Sequence, residues 1–182
     1  NGYLLIRHTQ KTHMEGRLLG ESPQTGLWCP DSLAIAKAYG IKGVNLTFSH
    51  KETTAEMAIV YAYHLLKEGR MNLFLAGGGD ELSEPLYHVY SRLGALSPGR
   101  GKGLEGMRPF DRDRNGIVLG EGTGILILET LEHAEKRGAR IYGEMAGVGM
   151  AGSADGVLRY DLTGDSIARA MSLATREAST VD

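Results

Sequence analysis

Apolar and polar positions along this chain fall into blocks that switch between the two-residue period of strands and the 3.6-residue period of helices. Tyr3 to Arg7 reads as a first strand, and residues 8 to 30 are polar and turn-rich, ending at Cys29-Pro30. Ser32 is placed to cap a short helix through Leu33 to Tyr39, with Gly40 as its stop. Val44 to Phe48 has the composition of a buried strand. A helix from Thr53 to about Glu68 follows, stopped by Gly69. Ala55, Met57, Ala58, Ile59, Val60, Tyr61, Ala62, Tyr63, Leu65 and Leu66 leave that helix almost no polar face, which predicts burial on all sides between two layers. His64 within it reads as a satisfied core residue.

Asn72 to Ala76 is predicted as a buried strand that ends in a Gly77-Gly78-Gly79 turn. Ser83 to Leu93 reads as helix, and Ser97 to Asn115 as a long loop rich in Gly and Arg. Thr123 to Glu129 (strand), Leu131 to Arg137 (short helix, with His133 exposed) and Ile141 to Val148 (strand) come next. The last element, Asp165 to Ala178, carries Ile167, Ala170, Met171, Ala174 and Ala178 on one face and is an amphipathic helix begun by Gly164-Asp165-Ser166. Strands alternating with helices imply an α/β sheet covered by helices on both faces, in a single domain over residues 1–182.

Composition narrows the function classes. A net charge of −2 gives no basic face for nucleic acid. No apolar run approaches the roughly 18 residues of a membrane span. One cysteine, Cys29, excludes an internal disulfide framework and fits a reducing cytoplasm. The 26 glycines cluster at 77–79, 99–106 and 116–124, marking turns and close backbone approach instead of linkers. No metal-ligand spacing appears. Gly77-Gly78-Gly79-Asp80 lacks both a Walker lysine and dinucleotide spacing, so no cofactor is expected. The opening Asn1-Gly2-Tyr3 has no initiator methionine, and the chain is expected to be a piece of a longer protein.

The most specific stretch is Met107-Arg108-Pro109-Phe110-Asp111-Arg112-Asp113-Arg114-Asn115-Gly116, followed by Gly120-Glu121-Gly122-Thr123-Gly124 and the apolar run ending in Leu128-Glu129. It resembles the "PFD…R-G…GEG-G…LE" signature of the β-ketoacyl-ACP synthases, and Leu131 to Tyr142 continues it without a gap. Ala76-Gly77-Gly78 matches that family's glycine turn, at the family's distance from residue 52. The resemblance runs from about Pro30 to the C-terminus. It implies the N-terminal half of a thiolase-like fold, a mixed five-stranded sheet sandwiched by helices. Gly77, Gly78, Gly120, Glu121 and Gly122 are then structural turn residues, and Phe110 and Asp111 are substrate-access residues of an acyl channel. Read from the residues alone, Asp111, Arg112, Asp113 and Arg114 form a local ion-pair set.

The resemblance assigns the family's cysteine nucleophile to the sharp turn before the helix at 53, where this chain has Glu52. A helix N-terminus favours a thiolate through its positive dipole end. A carboxylate gains there too, by under about 1 kcal/mol, but an acyl anhydride formed on it would be hydrolytically labile. The simplest reading of Glu52 is a helix cap or a partner for His50 or Lys51. The family also carries two catalytic histidines, the first in a His-Gly-Thr turn, and none of His8, His13, His50, His64, His88 and His133 is followed by Gly-Thr. Two functions are expected from this pattern. One is a non-condensing, chain-length-factor-like subunit that shapes an acyl channel, in a homodimer or in a heterodimer with an active ketosynthase, meeting acyl carrier protein and acyl or malonyl thioesters. The other is an acyltransferase or malonyl-ACP decarboxylase with a degenerate site. Decarboxylation would require Glu52 to be kept neutral by burial.

Overall fold

The computed structural model describes residues 2–5, 31–98, 106–156 and 159–179. Ile6 and Arg7, the stretch 8–30 with His8, His13 and Cys29, the glycines between 99 and 105, and residues 180–182 lie outside them. The elements run β1 (Gly2–Leu5), α1 (Asp31–Tyr39), a single 3-10 turn (Lys51–Thr53), α2 (Thr54–Lys67), β2 (Leu73–Asp80), α3 (Glu84–Arg92), β3 (Gly122–Thr130), α4 (Leu131–Lys136) and α5 (Asp165–Ala178).

The three described strands form one sheet in the order β1-β3-β2. β1 runs antiparallel to β3, pairing Gly2 with Thr130 and Leu5 with Ile127. The Thr130 amide donates to the Asn72 carbonyl at 3.1 Å just before β2 begins. The described residues belong to two compact units, one built from Asn1–Gly77 with Ile125–Asp182 and the other from Gly78–Gly124.

In the first unit, Ala62 and Leu66 of α2 close over Ala76 and Leu128, with Ile59, Met71, Phe74, Leu126 and Met145 packed around them. The C-terminal half of α2 is the part that reaches this core. Residues 57–61 are only half-buried and His64 is exposed, so burial on all sides does not hold for the described residues, and His64 is no core residue. Gly69 ends α2 as expected. Its φ of +69° lets its amide reach the Leu66 carbonyl while the Arg70 amide bonds the Leu65 carbonyl, both at 3.0 Å.

Two apolar runs predicted as strands are irregular. Residues 44–48 have no ladder, and Val44 and Leu46 are exposed. The segment is instead tethered through the Ser32 hydroxyl, which donates to Asn45 Oδ1 at 2.8 Å, and through Phe48, whose ring centre lies 5.6 Å from that of Tyr61 at a tilt of 56°. Ser32 therefore lies inside α1 and spends its hydroxyl on this tether instead of a cap. Residues 141–148 likewise form no strand beyond one bridging residue at 143. Their far end is pressed against α5: a Cβ on Gly147 would stand 2.3 Å from the Ala174 carbonyl oxygen, and one on Gly149 would stand 2.0 Å from that of Ala170.

The glycines 77–79 do not make a turn. β2 continues through them to Asp80, and none has a positive φ. A Cβ at Gly79 would meet Thr123 Oγ1 at 2.8 Å, so the run serves close contact with β3 rather than chain reversal. In the second unit, Gly116 is the residue that needs its freedom. Its φ is +127°, and a Cβ there would come within 2.5 Å of the Ser97 nitrogen, where a parallel bridge joins Leu96 to Ile117.

Candidate functional site

The sequence singles out the turn before α2. His50 closes it at both backbone groups: its amide donates to Thr54 Oγ1 at 2.8 Å, and its carbonyl accepts from the Thr53 amide at 3.3 Å and the Thr53 hydroxyl at 3.2 Å. Thr53 stands at the N-cap position but its hydroxyl does not cap the helix. Glu52 thus lies in a 3-10 turn at the N-terminal end of a 14-residue helix, with an exposed side chain. His64 and His88 are also exposed, and His88 bonds Glu84 at 3.4 Å on its own helix.

The loop at 106–116 is held by its backbone and not by the expected ion pairs. The Asp111 amide donates to the Arg108 carbonyl at 3.2 Å, and the Asp113 amide to the Asp111 carboxylate at 2.7 Å. The Arg114 guanidinium donates to the Asp111 carbonyl at 3.0 Å, and that of Arg108 to the Asp113 carbonyl. Short side chains in a tight turn find neighbouring amides before they find each other. Phe110 is fully exposed with φ of +65°. Gly120 and Glu121 are exposed and precede β3, whose first residue is Gly122.

Three carboxylates that sequence reasoning passed over are the best-held polar groups. Glu129, at the end of β3, has no exposed surface and accepts from His133 Nδ1 at 2.6 Å and from the Arg137 guanidinium at 2.8 Å. Arg137 above all, and then His133, hold its carboxyl below the usual range, against burial, which opposes them. His133 is therefore partly buried and bonded, not a free surface histidine. The signal was present as Glu, His and Arg at i, i+4 and i+8.

Glu177 on α5 takes the Lys67 ammonium at 2.5 Å, the Tyr63 hydroxyl at 3.2 Å and the Val148 amide at 3.0 Å. The Lys67 bond, followed by that of Val148, keeps its carboxyl low. Asp161 collects the Thr163 hydroxyl at 2.6 Å, the Ser166 amide and hydroxyl both at 2.7 Å, the Thr163 amide at 2.9 Å and the Gly164 amide at 3.1 Å. The Thr163 hydroxyl is the largest cause of its strongly lowered pKa. Asp161 so fills the start of α5 with its own charge.

Gly152, Arg159, Tyr160, Asp161, Ser166 and Arg169 line part of an open cleft of about 820 Å³ at that helix start. None of the residues implied by the family resemblance lines it. Among the described residues no group of three or more His, Cys, Asp or Glu side chains is arranged to hold a metal ion, and no helix is long and apolar enough to cross a membrane.

Residues 9–134 match the family model described as beta-ketoacyl synthase, N-terminal domain. The 3-oxoacyl-(acyl-carrier-protein) synthase 2 of Vibrio cholerae is 38% identical over 140 residues, covering 76% of this chain and 34% of that protein. In the solved complex of a type II PKS acyl-carrier protein with its ketosynthase bound to the hexaketide, the matched chain has a TM-score of 0.76 at 33% identity, over 81% of this chain and 37% of the other. The ishigamide ketosynthase/chain length factor gives 0.62 at 37% identity, over 69% and 29%. The chain spans about a third of the length of these relatives. The fold is ketosynthase-like, and the chain belongs to the beta-ketoacyl synthase family, in the N-terminal domain of that family.

Proposed function

We propose that this chain is a non-condensing ketosynthase-like subunit of fatty acid or polyketide biosynthesis, chain-length-factor-like, which pairs with an active ketosynthase and shapes its acyl channel. The observation that carries this reading is Glu52, an exposed carboxylate in the turn at the α2 N-terminus to which the family resemblance assigns the nucleophile. A carboxylate cannot hold an acyl group as a thioester does. The turn is nonetheless kept closed by His50, Thr53 and Thr54, which supports a retained scaffold without the nucleophile. The five-stranded sheet of the family belongs to the same reading. So do the acyl carrier protein and acyl or malonyl thioesters as partners, and Phe110 and Asp111 at the channel entrance.

Assembly as a homodimer or as a heterodimer with an active ketosynthase belongs to the same reading. The alternative, a malonyl-ACP decarboxylase, requires a buried, neutral carboxyl at position 52, and Glu52 is exposed.

The test is mass spectrometry of the purified chain incubated with malonyl-ACP and with a medium-chain acyl-ACP, following both protein masses. No acyl gain on the chain and no carbon dioxide loss beyond a Glu52→Ala control is the expected result. Either event would overturn the non-condensing reading.

A further inference from the structure

Asn115-Gly116 is a reactive pair with a support built around it. The side-chain amide of an asparagine is open to attack by the next backbone nitrogen, and a glycine shields that nitrogen least because it has no Cβ. The Gly116 amide donates no hydrogen bond among the described residues. Asn115 is half-buried, and its Oδ1 accepts from the Ser97 hydroxyl at 3.2 Å. A donor is thus already in place at the oxygen on which negative charge develops during such an attack. The pair is also pinned on both sides. The Arg114 guanidinium donates to the Asp111 carbonyl at 3.0 Å. The Ile117 amide donates to the Ala95 carbonyl at 2.9 Å, and the Ile117 carbonyl accepts from the Ser97 amide at 2.8 Å.

We propose that Asn115 is a modification site, which the fold converts without an enzyme to a succinimide and then to aspartate or isoaspartate, and that the isoaspartyl product unlatches the bridge between Leu96 and Ile117. The Gly116 nitrogen gives up its proton to solvent base and bonds to Asn115 Cγ. The Cγ–Nδ2 bond breaks, and ammonia leaves with a proton taken from water. Water then opens the imide at Cγ, which yields aspartate, or at the Asn115 carbonyl carbon, which yields isoaspartate and lengthens the main chain by one methylene. The bridge has no room for that methylene: even a Cβ on Gly116 would stand 2.5 Å from the Ser97 nitrogen and 2.6 Å from the Leu96 carbonyl carbon. Either product adds a negative charge to the loop. The step needs only this chain and water, so it stands independently of the subunit reading.

The experiment follows the purified chain over days at mildly alkaline pH in heavy-oxygen water, folded and unfolded in guanidinium chloride, for wild type, Ser97→Ala, Ser97→Thr and Asn115→Gln. Peptide mapping separates position 115 from the other Asn-Gly of the chain, Asn1-Gly2. Folded wild type should take up label at 115 severalfold faster than the unfolded chain. Ser97→Ala should remove that advantage and Ser97→Thr should keep it. Asn115→Gln, whose longer side chain closes the ring far more slowly, sets the background. Methylation by an isoaspartyl methyltransferase identifies the isoaspartyl fraction, in which hydrogen exchange should show the Ser97 and Ile117 amides unprotected. A folded chain no faster than the unfolded one, or an advantage that survives Ser97→Ala, would overturn the site. An isoaspartyl chain with both amides still protected would overturn the unlatching.

Discussion

The guanidinium of Arg137 closes on the carboxylate of Glu129, a side chain with no exposed surface at the point where β3 turns into α4. Removing either partner has unequal consequences. Arg137→Ala leaves a buried carboxylate with His133 alone, whereas Glu129→Gln leaves two donors that are partly exposed and can return to water. Glu129→Gln is expected to cost about 1–2 kcal/mol in urea unfolding, as loss of a charged acceptor does, and Arg137→Ala more than that. Arg137→Lys should recover only part, because an ammonium cannot reproduce the two-oxygen contact. A larger loss for Glu129→Gln than for Arg137→Ala would contradict this ordering.

Glu177 ties α5 to α2 and to the segment before it, and its carboxyl is held low chiefly by Lys67. A carboxylate whose folded pKa is depressed contributes stability that is present above its unfolded value of about 4.3 and is lost as pH falls through the lowered folded value. Glu129 acts in the same direction. Urea melts at pH 7 and pH 3 should therefore show an acid loss that Glu177→Gln reduces, and that Glu177→Gln combined with Glu129→Gln reduces further. Tyr63→Phe removes only one of the donors that hold Glu177 low, after Lys67 and Val148, at about 0.5–1.5 kcal/mol and with a smaller reduction of the pH slope than Glu177→Gln gives. An acid slope unchanged in the double variant would dismiss both carboxylates as its source.

Much of this arrangement was legible in the sequence where a local signal sets it. Gly69 fixes the end of α2, the spacing of Ile167, Ala170, Met171, Ala174 and Ala178 fixes α5, and the helix read from Ser83 to Leu93 matches α3 with Ser83 and Leu93 as its two caps. The errors fall where structure depends on a distant partner. Apolar runs at 44–48 and 141–148 have strand composition, but a strand exists only with a ladder neighbour, and composition does not name one. Gly77 to Gly79 read as a turn because nothing local reveals Thr123 packed against Gly79. Glu177 was missed because a carboxylate is recognised by its donors, and the bonds it takes from Tyr63 and Lys67 span more than a hundred positions of sequence; Glu129 and Asp161 take their donors from within eight and five positions, a local signal that was passed over.

Beside the Val148–Glu177 bond, the seam between residues 147–149 and α5 needs its two glycines for close approach and not for turn geometry, since neither Gly147 nor Gly149 has a positive φ. Gly149→Ala would drive a methyl into the Ala170 carbonyl and push the helix away. The expected cost is about 1–3 kcal/mol, and Gly147→Ala should behave alike against Ala174 and Ala178. Gly152 is the control: a Cβ there meets nothing within 4 Å, so Gly152→Ala should be neutral or stabilising by up to about 1 kcal/mol. Equal effects at 149 and 152 in denaturant unfolding would show that backbone entropy, not the seam, governs these positions.

Glu52→Cys separates the helix end from the chemistry expected of it. In a Cys29→Ser background the introduced thiol would be the only one in the chain. At the positive end of the 14-residue α2 its pKa should fall below the ordinary value of about 8.5, so iodoacetamide alkylation at pH 7 should exceed that of the urea-unfolded variant. The single substitution should not restore condensation. Of the described histidines, His133 is committed to Glu129, and His50, His64 and His88 are exposed; none is followed by the Gly-Thr of the turn to which the family resemblance assigns the first catalytic histidine. Alkylation that follows an ordinary thiol titration would remove the dipole argument for position 52. Acyl transfer by Glu52→Cys alone would locate the missing catalytic groups within this chain and overturn the subunit reading.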